Sequence, residues 1–347
     1  MTDSTNHSSD FLDAAPGVVV VIPFYNGSQF IERALCSVYA QSMPAAEVIV
    51  VNDGSRPEER DFLNTLCERY PFSVIDKENG GQGSARNAGA AASSAPYICF
   101  LDQDDFYLTH HIRTLVQAIP HDEPRFGFVY ADLIEADGEG NVVASSAIQG
   151  RCAHPKTSVF EMLRADMYIL PSAALISRAA FEAVDGFDTQ FVGFEDDDLF
   201  LRIFHKGYTN HYVDQAVTVW CIHTDSTSFG MRMIRSRFNY FKKMAAMFPD
   251  EPWRNRYYLR DCLMPRFGRY FVDHVIEATK TGHASLFEMR AILSEYAAIV
   301  QASPNAGSKM RLRAIMALVR YSPPALIRTI GAFTRLPGVR ALRRALG

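Results

Sequence analysis

The amino-acid sequence predicts an α/β fold in which a mostly parallel, Rossmann-like sheet is flanked by helices and followed by a helical C-terminal extension. Two observations lead to this prediction. Unbroken runs rich in Val and Ile, typical of strands buried on both faces, alternate with segments of helical spacing between Val18 and Leu101. From about Met231 onward, the spacing of the apolar residues is helical throughout.

The elements can be assigned in order along the chain. Strands are expected at residues 18–22, 48–51, 73–75 and 97–101, and helices are expected to begin near residues 30, 58 and 84. Farther along, strands are expected at residues 126–133 and 173–177, with a helix after four consecutive acids at 195–198. Strands joined by helical crossovers run parallel, so the loops after them should meet at one edge of the sheet, where ligands bind in such folds.

Composition and charge exclude several classes of protein. Apolar residues make up 48% of the 347 residues and charged residues 21%, which argues against wholesale disorder. The nine charged residues of 305–347 are all basic, so the rest of the chain is acidic and unsuited to nucleic acids. The six cysteines form no CxxC pair, which disfavours a zinc cluster or a disulfide framework. No signal pattern or spanning stretch is found, so a cytoplasmic location is expected.

Polar side chains follow three of the predicted strands. Pro23 and Tyr25 come after the first strand, Asp53 after the second, and Asp102 and Asp104 after the fourth. Tyr25 could stack on a base, and Asp53 could accept hydrogen bonds from a ribose or a uracil edge, although a packed loop and an Asx turn explain them equally well. Their common position at one edge of the sheet favours a binding site there.

The aspartates after the fourth strand are candidates for a metal site. Asp102, Asp104 and Asp105 would repel one another unless they were protonated or neutralised by a cation. Carboxylates around a single spacer suit Mg²⁺ or Mn²⁺ that shares phosphate ligands. The alternative is a solvated turn that caps the following helix.

A glycine-rich loop from Asn79 to Gly83 opens the third predicted helix, and Arg86 follows it. Backbone amides at such a helix start suit a diphosphate, to which Arg86 would add a fork of donors. The spacings of the Walker loop and of the dinucleotide-binding glycine motif are both absent. The phosphates would therefore be held in another way, which the clustered aspartates suggest is through a metal.

The four acids at 195–198 open a later helix, and His223 ends an apolar run. One of these carboxylates, in a cleft that holds little water, could serve as a general base, whereas a solvated helix start is the alternative. His223 could ligate a metal, although a histidine at a strand end is more often structural.

Together these motifs resemble the family-2 glycosyltransferases of the GT-A fold. The resemblance rests on the segments 22–26, 51–55, 79–89 and 101–105, and on the acidic segment 194–199 with Arg202. Asp185-Gly-Phe-Asp188 resembles part of the same acceptor-side motif, and Tyr130 to Asp132 and His223 fit weaker family positions. The similarity covers roughly residues 18–230.

The resemblance implies an inverting transfer of sugar from a UDP- or dTDP-linked donor to an acceptor hydroxyl. On the donor side it implies nucleotide contacts from six residues, namely Pro23, Tyr25, Asp53, Asn79, Arg86 and Asp102. It also implies Mn²⁺ or Mg²⁺ on Asp104, with contributions from Asp102 and His223, and catalysis by Asp196 as the base with Glu195 beside it. The bulky spacer Gln103 departs from the small residue often found there, which leaves the donor sugar open.

The resemblance also suggests an organisation for the chain. A disordered lead at 1–15 would precede a GT-A domain at 16–230, with a nucleotide-sugar half at 16–105 and an acceptor half at 106–230. A helical region with a basic tail would occupy 231–347. The basic tail at 305–347 would lie on an anionic membrane surface, near a glycan or lipid-linked acceptor of cell-surface polysaccharide, lipopolysaccharide or glycolipid synthesis. The alternative is a helical bundle packed on the acidic body or on another subunit of a homo-oligomer.

Two functions of other classes compete with this interpretation. A sugar-phosphate nucleotidyltransferase uses a related fold and a metal, but the glycine-rich loop with basic residues expected near its first strand is missing. A non-catalytic protein that binds nucleotide sugars would have no need for carboxylates at both the donor and the acceptor positions.

Overall fold

The computed structural model of the chain describes residues 17–222 and 230–307, together with residue 317. The predicted lead at 1–15, His223 and nearly all of the basic tail lie outside the described residues. The chain divides into two compact units, one made of Met1–Val159 and Met167–Ser228, the other of Phe160–Asp166 and Phe229–Gly347. No helix in the described ranges is long and apolar enough to cross a membrane.

The first unit begins with four strands that alternate with three helices. The strands are β1 (Val18–Phe24), β2 (Glu47–Asp53), β3 (Ser73–Lys77) and β4 (Tyr97–Phe100). The helices between them are α1 (Ser28–Tyr39), α2 (Pro57–Cys67) and α3 (Gln82–Ala91). All seven residues of β1 are buried, as expected for a central strand covered on both faces.

The second half of this unit adds shorter and less regular elements. They are β5 (Phe106–Tyr107), α4 (His111–Gln117), β6 (Phe126–Asp137), β7 (Val142–Ala144), β8 (Ala174–Ser177), α6 (Arg178–Glu182), α7 (Glu195–His205) and β9 (Thr209–Ile222). Between β7 and β8 the chain forms α5 (Val159–Arg164), which belongs to the second unit except for its first residue. A short 3₁₀ turn at Pro171–Ala173 leads into β8.

One mixed sheet runs through the unit in the order β3-β2-β1-β4-β8-β6-β9-β5, with β7 paired to β6. The pairs β1–β2, β1–β4 and β2–β3 are parallel, so the C-terminal ends of β1 to β4 point to one edge. Beyond β4 the direction changes, because β8 is antiparallel to both β4 and β6. The predicted α/β fold with flanking helices is confirmed, but the sheet as a whole is mixed rather than mostly parallel, because β5, β7 and β8 pair antiparallel with their neighbours. Its parallel part, β1 to β4, carries the loops of the candidate site.

The second unit is helical, as the sequence predicted from about Met231. It contains α8 (Met231–Met247), a π-helix (Leu259–Gly268), α9 (Arg269–Thr281) and α10 (Leu286–Ala302). Its interior is aromatic: the ring centroids of Phe241 and Tyr296 lie 5.0 Å apart, and those of Phe271 and Tyr296 lie 5.4 Å apart. Such packed rings bury large apolar areas and stabilise a small helical core.

Candidate active site

The loop after β1 exposes one aromatic ring and is fastened by the spacer of the aspartate motif. Tyr25 is 49% exposed, whereas Pro23 is buried within the sheet opposite Val51. The Tyr25 N–H donates to Oε1 of Gln103 at 2.9 Å, and Nε2 of Gln103 donates to the Tyr25 carbonyl at 3.3 Å. Gly27 makes room for this amide, since an added Cβ would lie 2.3 Å from Gln103 Cδ. The backbone of Tyr25 is thereby fixed, and its exposed ring is available to stack on a ligand.

Asp53, at the end of β2, is buried and organises the glycine-rich loop. Its Oδ1 accepts from Lys77 Nζ at 2.6 Å and from the Gly80 N–H at 3.0 Å, and its Oδ2 accepts from the Gly81 N–H at 2.8 Å. Asn79, in the same loop, is exposed. The next residue, Gly54, has φ +73°, and a Cβ there would come within 2.8 Å of the Asn79 nitrogen. Asp53 therefore fixes the entrance to α3.

Arg86, in the first half of α3, joins two acidic motifs. Its guanidinium is almost fully buried, with Nη2 at 2.6 Å from Asp102 Oδ1 and Nη1 at 3.4 Å from Glu195 Oε1. Gln82 Nε2 also donates to Asp102 Oδ1, at 2.6 Å. The sequence predicted that Arg86 faces a diphosphate, and that role stays a prediction. In the structure its nearest anionic partners are protein carboxylates, so it neutralises charge at the meeting point of the two motifs.

The acidic segment after β4 has one structural aspartate and two candidates for ligand contact. Asp105 is buried and accepts the Cys221 N–H at 2.9 Å. Burial, together with the neighbouring Asp102 and Asp104 carboxylates, raises the pKa of Asp105 well above its usual range. Asp102 and Asp104 are only partly buried. Arg33 of α1 supports the turn by donating to the Asp104 carbonyl at 2.7 Å.

These two carboxylates fit the chemistry of a shared divalent cation. Mg²⁺ and similar cations are often held by one or two carboxylates together with substrate phosphates. In the part of the chain that the structure describes, no group of three or more His, Cys, Asp or Glu side chains could hold a metal by itself. The predicted third ligand, His223, lies outside that part. Asp102 and Asp104 carry oxygen ligands of the kind that such a cation takes, and the metal itself stays a prediction.

The second acidic motif is the first turn of α7. The preceding Phe194 has a left-handed backbone with φ 70°, which is uncommon for a bulky residue and marks a constrained entry to the helix. Glu195 Oε2 accepts the Gly193 N–H at 2.6 Å, and burial raises the pKa of Glu195 while Arg86 opposes the shift. Burial, aided by Asp197 and Glu195, raises the pKa of Asp196 well above the usual range for aspartate. A partly buried carboxylate with raised basicity suits proton abstraction.

Arg202 fixes α7 to the loop that follows α6. Its Nε donates to Asp198 Oδ2 at 2.6 Å, one helical turn away, and its Nη2 donates to the Gly186 carbonyl at 2.7 Å. The same loop is paired with α3, because the Asn87 amide donates to the Phe187 carbonyl and accepts the Phe187 N–H, both at 2.8 Å. Two side-chain anchors thus hold α3 and α7 in register around Arg86.

Asp132, at a position where the resemblance to the family is weaker, accepts hydrogen bonds from backbone N–H groups. Its Oδ1 accepts from the N–H groups of Leu133, Ala147 and Ile148 at 2.7, 3.1 and 3.0 Å. Burial opposes its ionisation, but the Ser146 hydroxyl and these N–H groups outweigh burial and lower the pKa of Asp132. Asp132 is therefore an ionised anchor for the loop after β7.

The structure brings three of the residues that the sequence singled out into direct contact. Asp102, Arg86 and Glu195 are in direct contact, and Asp104 and Asp196 are chain neighbours of this cluster. The sequence indicates no structural role for Gln103 and does not single out Gln82, Lys77 or Arg33. Their partners are distant in the sequence, so no local pattern could have revealed these contacts.

Two protein-family models match the parts of the chain that contain the candidate site. Residues 19–185 match the family model for glycosyl transferase family 2, and residues 170–223 match a model described as the N-terminal domain of galactosyltransferase. Together the two matched ranges include β1 to β4, the aspartate motif and the start of α7.

Several curated proteins are similar in sequence over part of their length. An uncharacterized glycosyltransferase of Nostoc sp. is 33% identical over 135 residues, which are 38% of this chain and 41% of that protein. One from Rickettsia prowazekii is 28% identical over 203 residues, covering 57% and 63%. The hyaluronan synthase of Pasteurella multocida is 25% identical over 231 residues, covering 66% and 23%. The chain spans less than two thirds of the length of each of these proteins.

Solved structures share the fold. TarS 1-349 of S. aureus, in complex with UDP-GlcNAc, has a TM-score of 0.64 at 16% identity, covering 95% of this chain and 92% of that chain. The mannosyltransferase PcManGT of Pyrobaculum calidifontis, in complex with GDP-Man and Mn²⁺, has a TM-score of 0.54 at 19% identity, covering 95% and 85%. At these identities the likeness concerns the fold alone.

Proposed function

Because this chain belongs to glycosyl transferase family 2 and has the GT-A fold, we propose that it transfers a sugar from a nucleoside diphosphate sugar to an acceptor hydroxyl, with inversion at the anomeric carbon. The donor is a UDP- or dTDP-sugar. The UDP-GlcNAc complex of the TarS neighbour supports a uridine nucleotide, and the name of the hyaluronan synthase relative supports a glycan product.

One observation carries this proposal: a single buried guanidinium joins the two acidic motifs. Arg86 lies 2.6 Å from Asp102 and 3.4 Å from Glu195. The motif proposed for the leaving nucleotide and the motif proposed for the acceptor therefore share one centre. A transferase needs this juxtaposition, because donor and acceptor must be held together for the sugar to pass between them.

Different residues of the donor site contact different parts of the nucleotide. The exposed Tyr25 ring stacks on the base, while Asp53 and Pro23 shape the nucleoside side of the site. Asn79 and the glycine-rich loop face the diphosphate, and Arg86 adds positive charge behind it. Asp102 contacts the ribose side. The support for these roles is that Tyr25 is half-exposed and that the loop is held rigidly by Asp53.

Asp104, with help from Asp102, would hold Mn²⁺ or Mg²⁺ together with the donor phosphates, and His223 is a further candidate ligand. Such a cation supplies Lewis-acid neutralisation of the charge that develops on the departing nucleoside diphosphate. The chain's own contribution is to present oxygen ligands on a turn that Arg33 and Asp105 keep in shape.

Asp196 takes the proton from the acceptor hydroxyl as that hydroxyl attacks the anomeric carbon from the face opposite the leaving group. Its raised pKa makes it a stronger base than an ordinary aspartate. Glu195, fixed between Arg86 and the Gly193 N–H, positions the start of α7 rather than taking the proton itself.

The acceptor belongs to cell-surface polysaccharide, lipopolysaccharide or glycolipid synthesis on the cytoplasmic side of the membrane. Residues 16–230 form the transferase domain, divided near residue 105 into donor and acceptor halves, and 231–347 form the helical region. The basic side chains of 305–347 would either approach anionic lipid or join a second subunit. Co-sedimentation with anionic liposomes, with and without 305–347, separates these two alternatives.

Product analysis tests the proposal directly. The protein is incubated with Mn²⁺, candidate acceptors and a panel of nucleotide sugars chosen by thermal stabilisation, because ligands raise the apparent stability of the state that binds them. We expect release of nucleoside diphosphate from one donor. Release of pyrophosphate from a nucleoside triphosphate would instead indicate a nucleotidyltransferase, and tight donor binding without turnover on any acceptor would indicate a binding protein.

A further inference from the structure

A second cluster of chemically active side chains lies in the first unit, in the loop between β7 and α5. Cys152, His154 and Lys156 alternate along this loop. The sulfur of Cys152 is 3.0 Å from Lys156 Nζ and 3.4 Å from His154 Nε2. The proposed sugar transfer uses none of the three.

Lys156 is a buried cation whose partners include no carboxylate. Lys156 is only 5% exposed. Its Nζ contacts the Cys152 sulfur, and it donates to the Ala153 carbonyl at 2.9 Å. Among the described residues, no Asp or Glu forms an ion pair with it. An ammonium removed from water is costly unless an anion compensates it. The sulfur of Cys152 is the nearest group that could carry such an anion.

His154 presents a second donor to the same sulfur. The Tyr130 hydroxyl lies 2.8 Å from Nδ1, and burial raises the pKa of Tyr130 far above its ordinary value, so that the phenol keeps its proton and donates it. Burial and the nearby Lys156 lower the pKa of His154, so the ring is neutral. Its single proton is then on Nε2, which faces the sulfur. Sγ also lies 3.4 Å from the Met167 carbonyl, the acceptor that its proton would use in the thiol form.

The loop is held by contacts that do not involve the Lys156 side chain. The Lys156 N–H donates to Asn210 Oδ1, and Asn210 Nδ2 donates to the Lys156 carbonyl, both at 2.8 Å. The His154 ring stacks on Tyr212 with centroids 4.4 Å apart. The geometry around the sulfur is therefore imposed by the fold, and the charge on Lys156 can be removed without removing the anchors.

We propose that Cys152 is a reactive thiolate that takes soft electrophiles and hydroperoxides, with Lys156 as its counter-ion and His154 as a hydrogen-bond donor. With a hydroperoxide, Sγ attacks the terminal oxygen while the O–O bond breaks. The sulfur loses two electrons and becomes a sulfenic acid, and the leaving alkoxide or hydroxide takes a proton from Lys156 or water. Cys152 is partly buried, so small reagents can reach it.

The chain supplies its own reference thiols for the test. Cys36 and Cys67 are exposed, more so than Cys152, but neither contacts a lysine in the described ranges. The full-length protein is treated at pH 7 with a limiting amount of iodoacetamide, and labelling of each cysteine is followed by peptide mass spectrometry. If exposure governs reactivity, Cys36 and Cys67 react first. We expect Cys152 to react at least about tenfold faster, because the thiolate is the nucleophile.

Lys156→Met should slow the labelling of Cys152 to the rate of the reference thiols or below, whereas Lys206→Met, at an exposed position, should leave it unchanged. A second measurement in the unmodified protein traps the sulfenic acid with dimedone after hydroperoxide treatment, and we expect the adduct on Cys152 in preference to Cys36 and Cys67. The proposal is overturned if Cys152 is neither alkylated nor oxidised ahead of the two exposed thiols, or if a folded Lys156→Met variant retains the fast rate.

Discussion

At the scale of single residues, Asp196 is the side chain on which the proposed chemistry depends most. Asp196→Asn keeps the size and the hydrogen-bonding edge of the side chain but removes the base. We expect turnover to fall by roughly two to four orders of magnitude with donor affinity unchanged. Steady-state kinetics and nucleotide binding measured on the same preparation check this, with Asp122→Asn, at an exposed loop position, as the control. Turnover close to that of the unmodified protein would remove Asp196 from the mechanism.

The raised pKa of Asp196 also predicts the pH dependence of the reaction. Burial and the neighbouring Asp197 and Glu195 favour the protonated form, and a general base acts only when it is deprotonated. Activity should therefore be lost as the pH falls through a value above the ordinary aspartate range of about 4. The acidic limb of kcat/KM against pH measures this value. A profile that stays flat down to about pH 4, with the fold intact by circular dichroism, would contradict the assignment.

Gln103 provides a test of how the nucleoside loop is held. Gln103→Ala removes both hydrogen bonds to the Tyr25 backbone. The loss of one or two such bonds costs about 1 kcal/mol, so we expect the Kd for UDP to rise roughly fivefold. Calorimetric titration measures this, with the exposed Gln117→Ala as the matched control. An unchanged Kd would show that Tyr25 needs no such support.

The chemical roles that the sequence predicts for single residues stay predictions, and the structure adds the contacts that these residues make. The sequence identified Arg86 and Glu195 separately, but nothing local indicates that residues 109 positions apart would share a hydrogen bond. Asp53 was predicted to face a nucleoside, and the structure adds that its oxygens bind Lys77 and the glycine-rich loop. Hydrogen-bond partners depend on tertiary packing, which residue spacing does not encode.

At the scale of elements, α3 packs closely against the sheet at Gly89. A Cβ at Gly89 would lie 2.3 Å from Val21 Cγ1 on β1 and 3.0 Å from Val51 Cγ2 on β2, and both valines are fully buried. Glycine therefore lets α3 approach β1 and β2 closely enough for Arg86 to reach Asp102. Neither valine has room to move, because both are β-branched and enclosed.

Gly89→Ala separates this packing effect from helix propensity. Propensity alone would stabilise the helix by about 1 kcal/mol, but overpacking of a core typically costs about 1–3 kcal/mol. We expect the clash to dominate and the free energy of unfolding to fall by about 1–2 kcal/mol. Ala91→Leu, on the exposed side of the same helix, adds more volume and should be nearly neutral. Denaturant unfolding of both variants measures which effect dominates. If Gly89→Ala raised the free energy of unfolding, the close packing of α3 against β1 and β2 would be contradicted.

The sequence predicted the elements of the parallel half well, because each has a local signature. It did not predict that β8 inserts between β4 and β6 in the opposite direction, nor the length of β9, which continues to Ile222. The pairing of β4 with β8 joins Tyr97 to Ser177, and such non-local pairings depend on the whole sheet. The strands from β5 to β9 also alternate less regularly between apolar and polar residues, so the sequence predicts their first and last residues less accurately.

At the scale of the whole molecule, the two units have different kinds of core. The first is a mixed sheet with helices, and the second is a helical, aromatic cluster that takes in the segment Phe160–Asp166. Arg266 Nη2 donates to Asp166 Oδ1 at 2.8 Å, and the Cys262 sulfur donates to the Phe160 carbonyl at 3.5 Å. The predicted division at residues 230 and 231 stays a prediction, and composition could not have assigned the segment near residue 160 to the helical unit.

The central claim concerns the whole donor site: a divalent cation links the carboxylates after β4 to the diphosphate of the donor. The most direct measurement is calorimetric titration of UDP into the full-length protein with and without Mn²⁺, repeated with Asp104→Asn. We predict that Mn²⁺ tightens UDP binding about tenfold or more in the unmodified protein, in line with the strength of contacts to charged groups. We also predict that Asp104→Asn abolishes this gain and leaves the Mn²⁺-free affinity unchanged. Equal UDP affinity with and without Mn²⁺ in the unmodified protein would contradict the claim.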